Sequence, residues 1–336
     1  MKTRMVEILV VILIAVLAVV AYLGKIWGWH EGFVFSTSVS LAVVILIFAS
    51  LIWILVRTLM DKLVGRRIVF LYVGIAITLP LFMSIEQEIV ISDEVQAIYD
   101  ELEQLQPGSK VLVSLDYDPA SAPELQPMAE AFFGECFKRD LKLIIMGLWP
   151  MGPQQANQAI DTIMARMGLD STDVIYGEDY VNLGFQAGNE FVIQRMGSSF
   201  EAMFGTDYRG TPYQDLPLVR NVNNFSNIDF SYNISAGFPG TVEWVQIAVD
   251  RFGLRLAAGN TAVQAPTVYP YLRAGQLVGL MGGMSGGAEF EKLTHLEGKA
   301  TTYMLSQSFS HIIVIGFIII GNVAFFRSGR KSGLKE

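Results

Sequence analysis

A single cysteine, Cys136, in 336 residues excludes an intramolecular disulfide, so any folded domain must be held by its own core. Cys136 lies in residues 128–137, where apolar positions recur at helical spacing, and it reads as a core thiol. Three histidines, His30, His295 and His311, are too few for a multi-histidine metal centre within one chain. No glycine-rich phosphate fingerprint follows the first expected strand, which argues against a dinucleotide cofactor. Neither a catalytic triad, a cysteine–histidine pair nor a metalloprotease helix is visible, and there is no internal repeat or low-complexity tract.

Long apolar runs are abundant instead. They cover residues 5–23, 33–56, 68–85 and 309–326, each near the roughly 20 residues needed to cross a hydrocarbon core of about 30 Å. Lys2 and Arg4 precede the first run. Arg57, Lys62, Arg66 and Arg67 separate the second and third, and Arg327, Arg330, Lys331 and Lys335 follow the fourth. The first connection holds only Lys25. By the positive-inside rule, residues 1–85 form three membrane spans, residues 86–305 an extracytoplasmic insert, and residues 306–336 a fourth span with a basic tail. The expected address is the cell membrane, multi-pass, with both termini cytoplasmic. Val19-Val20-Ala21 offers a small-residue cleavage site, but the first run exceeds the roughly 7 to 15 residues of a signal core and is expected to be retained.

The insert carries 28 acidic and 13 basic residues, near −15, while the remainder is near +7. So acidic a domain excludes nucleic acid and anionic lipid surfaces as partners, and suits solubility, cations or basic partners.

Strand and helix patterns alternate along the insert. Residues 110–115, 141–147, 173–176, 228–234 and 254–258 read as strands, and residues 122–140, 153–167, 189–204 and 241–252 as helices. Strands separated by helices of this length predict right-handed crossovers and a mainly parallel sheet. The fold class is α/β, a Rossmann-like three-layer domain inserted between the third and fourth spans. Residues 205–226 are irregular, rich in Asn, Pro and Gly, and long enough to suggest a lid, a binding loop or a disordered segment. Asn224-Phe225-Ser226 and Asn233-Ile234-Ser235 are formal glycosylation acceptors, the second within an expected buried strand.

Ligands in open parallel sheets bind outside the carboxyl ends of the strands. The candidate rim there is Trp149, Glu178, Asp179, Ser235, Asn260 and Thr261, with Asp116 and Asp118 after the first strand. No cofactor is expected; a hard divalent cation, Mg²⁺ or Ca²⁺, is the ion that carboxylates gathered at one rim would take. The segment Val111-Leu112-Val113-Ser114-Leu115-Asp116-Tyr117-Asp118 resembles the first motif of haloacid-dehalogenase-type phosphohydrolases. That resemblance implies a nucleophile at Asp116 and a general acid/base at Asp118. It covers about eight residues. Ala120 replaces the family's Thr or Val, and no Ser or Thr closes the second strand at Met146-Gly147-Leu148. In residue terms alone, Asp118-Pro119 is a turn leading into a capped helix.

Gly275, Gly279, Gly283 and Gly287 recur every four residues. A helix here would carry a flat stripe fit for tight helix packing or a subunit contact; the alternatives are a flexible loop or hinge and an anion-binding turn. The expected function is therefore a non-catalytic assembly or scaffold subunit of a membrane complex, partnered by the bilayer and by itself or other membrane subunits. The alternative is a small-ligand-sensing membrane protein; a Mg²⁺-dependent phosphohydrolase using Asp116 and Asp118 is more distant.

Overall fold

The computed structural model describes residues 16, 36–60, 65–83, 88–296 and 298–332. The chain divides into two compact units, Ile89–Thr301, and Met1–Glu88 with Thr302–Glu336.

In the second unit, α1 (Thr37–Leu59) is a helix of 23 residues, about 35 Å at 1.5 Å per residue. α2 (Arg66–Thr78) has 13 residues and continues into one 3₁₀ turn, Leu79–Phe82, where Pro80 lies in the first turn. The long C-terminal helix is α11 (Lys299–Ser332). Among the described residues, two helices are long and apolar enough to cross a membrane, Thr37–Leu59 and Lys299–Phe326. The third expected run is thus a short helix with a tighter end, and the first, residues 5–23, lies outside the described residues except for Val16. Leu46, Ile52 and Trp53 on α1 and Ile315, Ile318 and Ile319 on α11 are exposed, an apolar surface that water would disfavour and lipid would not.

The other unit is the α/β domain. Its elements run α3 (Asp93–Gln104), β1 (Lys110–Asp116), α4 (Ala122–Lys138), β2 (Lys142–Gly147), α5 (Gly152–Met167), β3 (Tyr180–Phe185), α6 (Glu190–Met196), β4 (Phe230–Ser235) and α7 (Thr241–Trp244). After α7 come a π-helical turn (Val245–Val249), α8 (Asp250–Phe252), β5 (Leu256–Asn260), α9 (Ala265–Arg273), β6 (Leu280–Gly282) and α10 (Gly283–Thr294). The six strands form one parallel sheet in the order β3-β2-β1-β4-β5-β6. β1 is buried from Val111 to Asp116, as expected of a parallel strand covered on both faces. α5 has Pro153 in its first turn and stops at Gly168, which takes φ 69°, a left-handed conformation that costs glycine little.

Two apolar layers flank the sheet. One joins α3, α4, α5 and α10 through Ile98, Phe132, Ile160 and Phe290, with the Phe132 and Tyr232 rings stacked at 4.2 Å. The other joins α6, α7, the π-helical segment and α9 through Val192, Trp244, Ala248 and Val268. The Rossmann-like α/β expectation therefore holds at the level of architecture.

Several local expectations do not. The third strand is Tyr180–Phe185, whereas residues 173–176 contribute only an isolated bridge from Tyr176 to Tyr180. The helix expected over residues 189–204 is confined to Glu190–Met196 and ends before Gly197-Ser198-Ser199. Residues 205–226 are not a lid: Tyr213, Leu216, Val219, Val222 and Phe225 are buried in the second apolar layer. Tyr208 N–H donates to the Asn182 carbonyl at 2.8 Å and Leu218 N–H to the Gly177 carbonyl at 2.9 Å, so the segment covers the β3 side of the sheet.

Candidate functional site

Strand order reverses between β1 and β4, the topological switch point at which doubly wound sheets hold ligands. Register places Ser114 beside Asn233 and Asp116 beside Ser235 on these strands, and Ser235 beside Asn260 on the next. Side chains two residues apart share a face. The carboxyl edge of one face is therefore polar, formed by Ser114, Asp116, Asn233, Ser235 and Asn260.

Asp116 is its centre. The carboxylate is fully buried and accepts four hydrogen bonds. Oδ1 receives the Ser114 hydroxyl at 2.8 Å and the Leu148 N–H at 2.7 Å. Oδ2 receives Asn233 Nδ2 at 2.6 Å and Trp244 Nε1 at 3.1 Å. Burial pushes the pKa up to about 6 from an ordinary 3.8, against the pull of the bonds from Leu148, Ser114, Trp244 and Asn233. Trp244 is the last residue of α7, and the π turn begins directly after it.

The network continues outward. Thr241 Oγ1 donates to Asn233 Oδ1 at 2.6 Å, Asn260 Nδ2 donates to Thr241 Oγ1 at 2.9 Å and to Gln264 Oε1 at 3.1 Å, and Gln264 Nε2 donates to the Gly237 carbonyl at 3.2 Å. The Ser235 hydroxyl also donates to Gly237 O, at 3.0 Å. Trp149 Nε1 donates to Pro239 O at 2.8 Å, joining the loops after β2 and β4. Tyr117, which follows Asp116, and Trp244 are both wholly buried.

No protein-family model, curated protein or solved structure matches the chain. The functional reading rests on its own residues.

Of the expected rim, Asp116, Asp118, Trp149, Ser235, Asn260 and Thr261 lie at the carboxyl edge. Thr261 begins the turn that leads into α9, its carbonyl accepting from Gln264 and Ala265 N–H at 3.0 and 2.9 Å. Glu178 and Asp179 are at the opposite end. Because β3 begins at Tyr180, they precede the strand, and Asp179 pairs with Lys142 at the start of β2 while accepting from Ile175 N–H at 2.7 Å. The carboxylates consequently do not gather for Mg²⁺ or Ca²⁺, and among the described residues no group of three or more His, Cys, Asp or Glu is placed to hold a metal ion.

The phosphohydrolase resemblance also meets a geometric obstacle. A nucleophilic aspartate needs an open carboxylate oxygen facing its substrate. Both oxygens of Asp116 are covered and doubly hydrogen-bonded. Asp118 Oδ1 instead accepts from Ala120 and Ser121 N–H at 3.0 and 3.4 Å, a side-chain-closed turn entering α4.

The four spaced glycines do not form a stripe on one helix. Gly275 follows α9 at φ 73°, Gly279 precedes β6, Gly283 opens α10 at φ 61°, and Gly287 lies within α10. Three of them admit close neighbours inside the domain, Gly283 against Ala262 among them. A Cβ at Gly279 would overlap the Glu94 carbonyl of α3, and one at Gly287 would stand 3.3 Å from Met128 Cγ of α4. A three-residue strand divides the run, so only Gly283 and Gly287 fall on one helix.

Asn233, Thr241, Trp244 and Gln264 were not among the expected site residues. The available signal was the alternation Ser231, Asn233, Ser235, which puts polar side chains on one face of a strand that is wholly buried in the fold.

Proposed function

We propose that the chain is a membrane-tethered, non-catalytic assembly subunit that presents its α/β domain outside the membrane. The observation that carries this reading is the saturation of Asp116: the best-placed reactive group at the switch point is spent on four internal donors. The two long apolar helices support tethering. The basic flanks support four spans with both termini cytoplasmic and residues 86–305 outside. At 1.5 Å per helical residue and 2.0 Å per 3₁₀ residue, α2 and its turn reach about 28 Å, enough for the third span. The acidic domain favours basic partner subunits over lipid or nucleic acid.

A small-ligand sensor is the second reading, favoured by the strand order alone, and it requires the Asp116 network to open before a ligand enters. Orientation is tested by single cysteines and a membrane-impermeant maleimide on intact cells. Glu201→Cys should label directly and Ser328→Cys only after permeabilisation; the reverse would overturn the topology. Assembly is tested by the mass of the chain extracted in mild detergent. A monomer binding stoichiometric Mg²⁺ or Ca²⁺ through Asp116 would overturn the assembly reading.

A further inference from the structure

Three loops at the carboxyl edge are locked together and still hold apolar side chains out in solvent. Trp149 bonds to Pro239, and its ring lies 3.7 Å from where a Cβ on Gly237 would sit. Gln264 bonds to Gly237, and Glu124 Oε2 accepts from Ala262 N–H at 2.8 Å. On these tied loops Phe238 is 62% and Val263 88% exposed, with Met151 also exposed. Isolated apolar side chains on a surface are ordinary. These belong to loops already fixed by hydrogen bonds, so a partner that covers them would spend little entropy on ordering them.

Charge narrows the partner. Residues 116–124, 147–153, 235–243 and 260–266 contain three half-buried carboxylates, Asp118, Glu124 and Glu243, beside the fully buried Asp116, but no Lys, Arg or His. Asp118, Glu124 and Glu243 accept from backbone N–H groups, of Ala120, Ala262 and Gly240 respectively, at 3.0, 2.8 and 2.7 Å. Such bonds leave their negative charge in place. The edge is apolar and acidic with no cation among these segments.

We infer that this edge is the docking surface for another subunit's segment in which Lys or Arg flanks apolar side chains, an inference that rests on the assembly reading. Electrostatic complementarity of this kind selects partners and orients them. A second copy would set acidic edge against acidic edge, and an anionic bilayer surface would be repelled.

The experiment uses the full chain in its native membranes, with a photo-crosslinking phenylalanine analogue at position 238 or 263 and the joined peptide mapped by mass spectrometry. The expected product is one different polypeptide, joined within a segment containing Lys or Arg beside apolar residues. Phe238→Asp should lower recovery of the complex at least tenfold, while Ile175→Asp, exposed near the opposite end of the sheet, should leave it unchanged. Crosslinks to lipid, to a second copy or to a segment without basic residues, or none at either position, would overturn the docking surface. If the wild-type chain nevertheless remains in a defined complex, assembly stands and only the surface is wrong; a monomeric wild type overturns both.

Discussion

Asp116 and Trp244 meet at 3.1 Å, the indole N–H donating to a fully buried carboxylate, and this contact ties the end of β1 to the helix that follows β4. With Ser114, Leu148 and Asn233 it satisfies all four acceptor positions. Asp116→Ala would leave these donors without their acceptor, at roughly 1–3 kcal/mol for each that stays buried and unpaired. Thermal unfolding in mild detergent should show a loss of at least about 3 kcal/mol. A change under 1 kcal/mol would mean that the network does not organise the edge.

The same carboxylate predicts a pH dependence. Its folded pKa, about 6, lies above the ordinary 3.8 because burial disfavours the charge. The folded state therefore holds the proton more tightly between these values. This group's contribution favours folding most below about pH 4, falls as pH rises through the folded pKa, and is flat above it, a change of about 3 kcal/mol. Melting temperature measured from pH 4 to 7 should contain a component of that sign in the wild type, absent in Asp116→Ala.

A second buried carboxylate secures the start of α11. Glu291 accepts Thr301 N–H at 2.8 Å, the Thr301 hydroxyl at 2.7 Å, Ala300 N–H at 3.1 Å and Gly298 N–H at 3.0 Å. It caps the helix from α10, satisfying N–H groups that have no partner within α11. Glu291→Ala should release the first turn, raising amide hydrogen exchange at Ala300 and Thr301 by about tenfold, as expected for a cap worth about 1–2 kcal/mol. Unchanged exchange would assign the capping elsewhere.

Two glycines of one spaced run should respond differently to alanine. At Gly279 a methyl group would strike the Glu94 carbonyl and Ile98 of α3, so Gly279→Ala must push strand and helix apart. At Gly275 nothing lies within 4 Å, and the cost is the φ of 73° alone, about 1 kcal/mol. Denaturation midpoints should rank Gly279→Ala well below Gly275→Ala; equal losses would contradict the packing described.

Much of this architecture was legible in the sequence, for identifiable reasons. β1, β2 and β5 are mainly apolar runs bounded by turns, as buried parallel strands tend to be, and β4 alternates apolar with polar residues at the strand period. β3 was obscured because Asn182 and Gly184 interrupt it, while Asp173-Val174-Ile175-Tyr176 just before it has the more strand-like composition. That displacement carried Glu178 and Asp179 to the wrong end of the sheet. β6 has only three residues and sits among glycines, so its residues merged into a supposed helical period. The saturation of Asp116 could not be read at all, since its donors come from residues 114, 148, 233 and 244, brought together only by sheet register and the helix after β4.

Cys136 supplies a further check on the core. It is fully buried, and burial pushes its thiol pKa well up, so little thiolate is available to react. Maleimide should leave the native wild-type chain unlabelled and modify one site after denaturation. Rapid native labelling would place Cys136 outside the packed layer between α4 and the sheet.

Assembly is the central claim, and native mass spectrometry of the wild-type chain, extracted from membranes in mild detergent, tests it most directly. A discrete complex larger than the 37.2 kDa chain, with constant stoichiometry across preparations, is the predicted result. A 37.2 kDa monomer that carries no protein partner under the same conditions would contradict it.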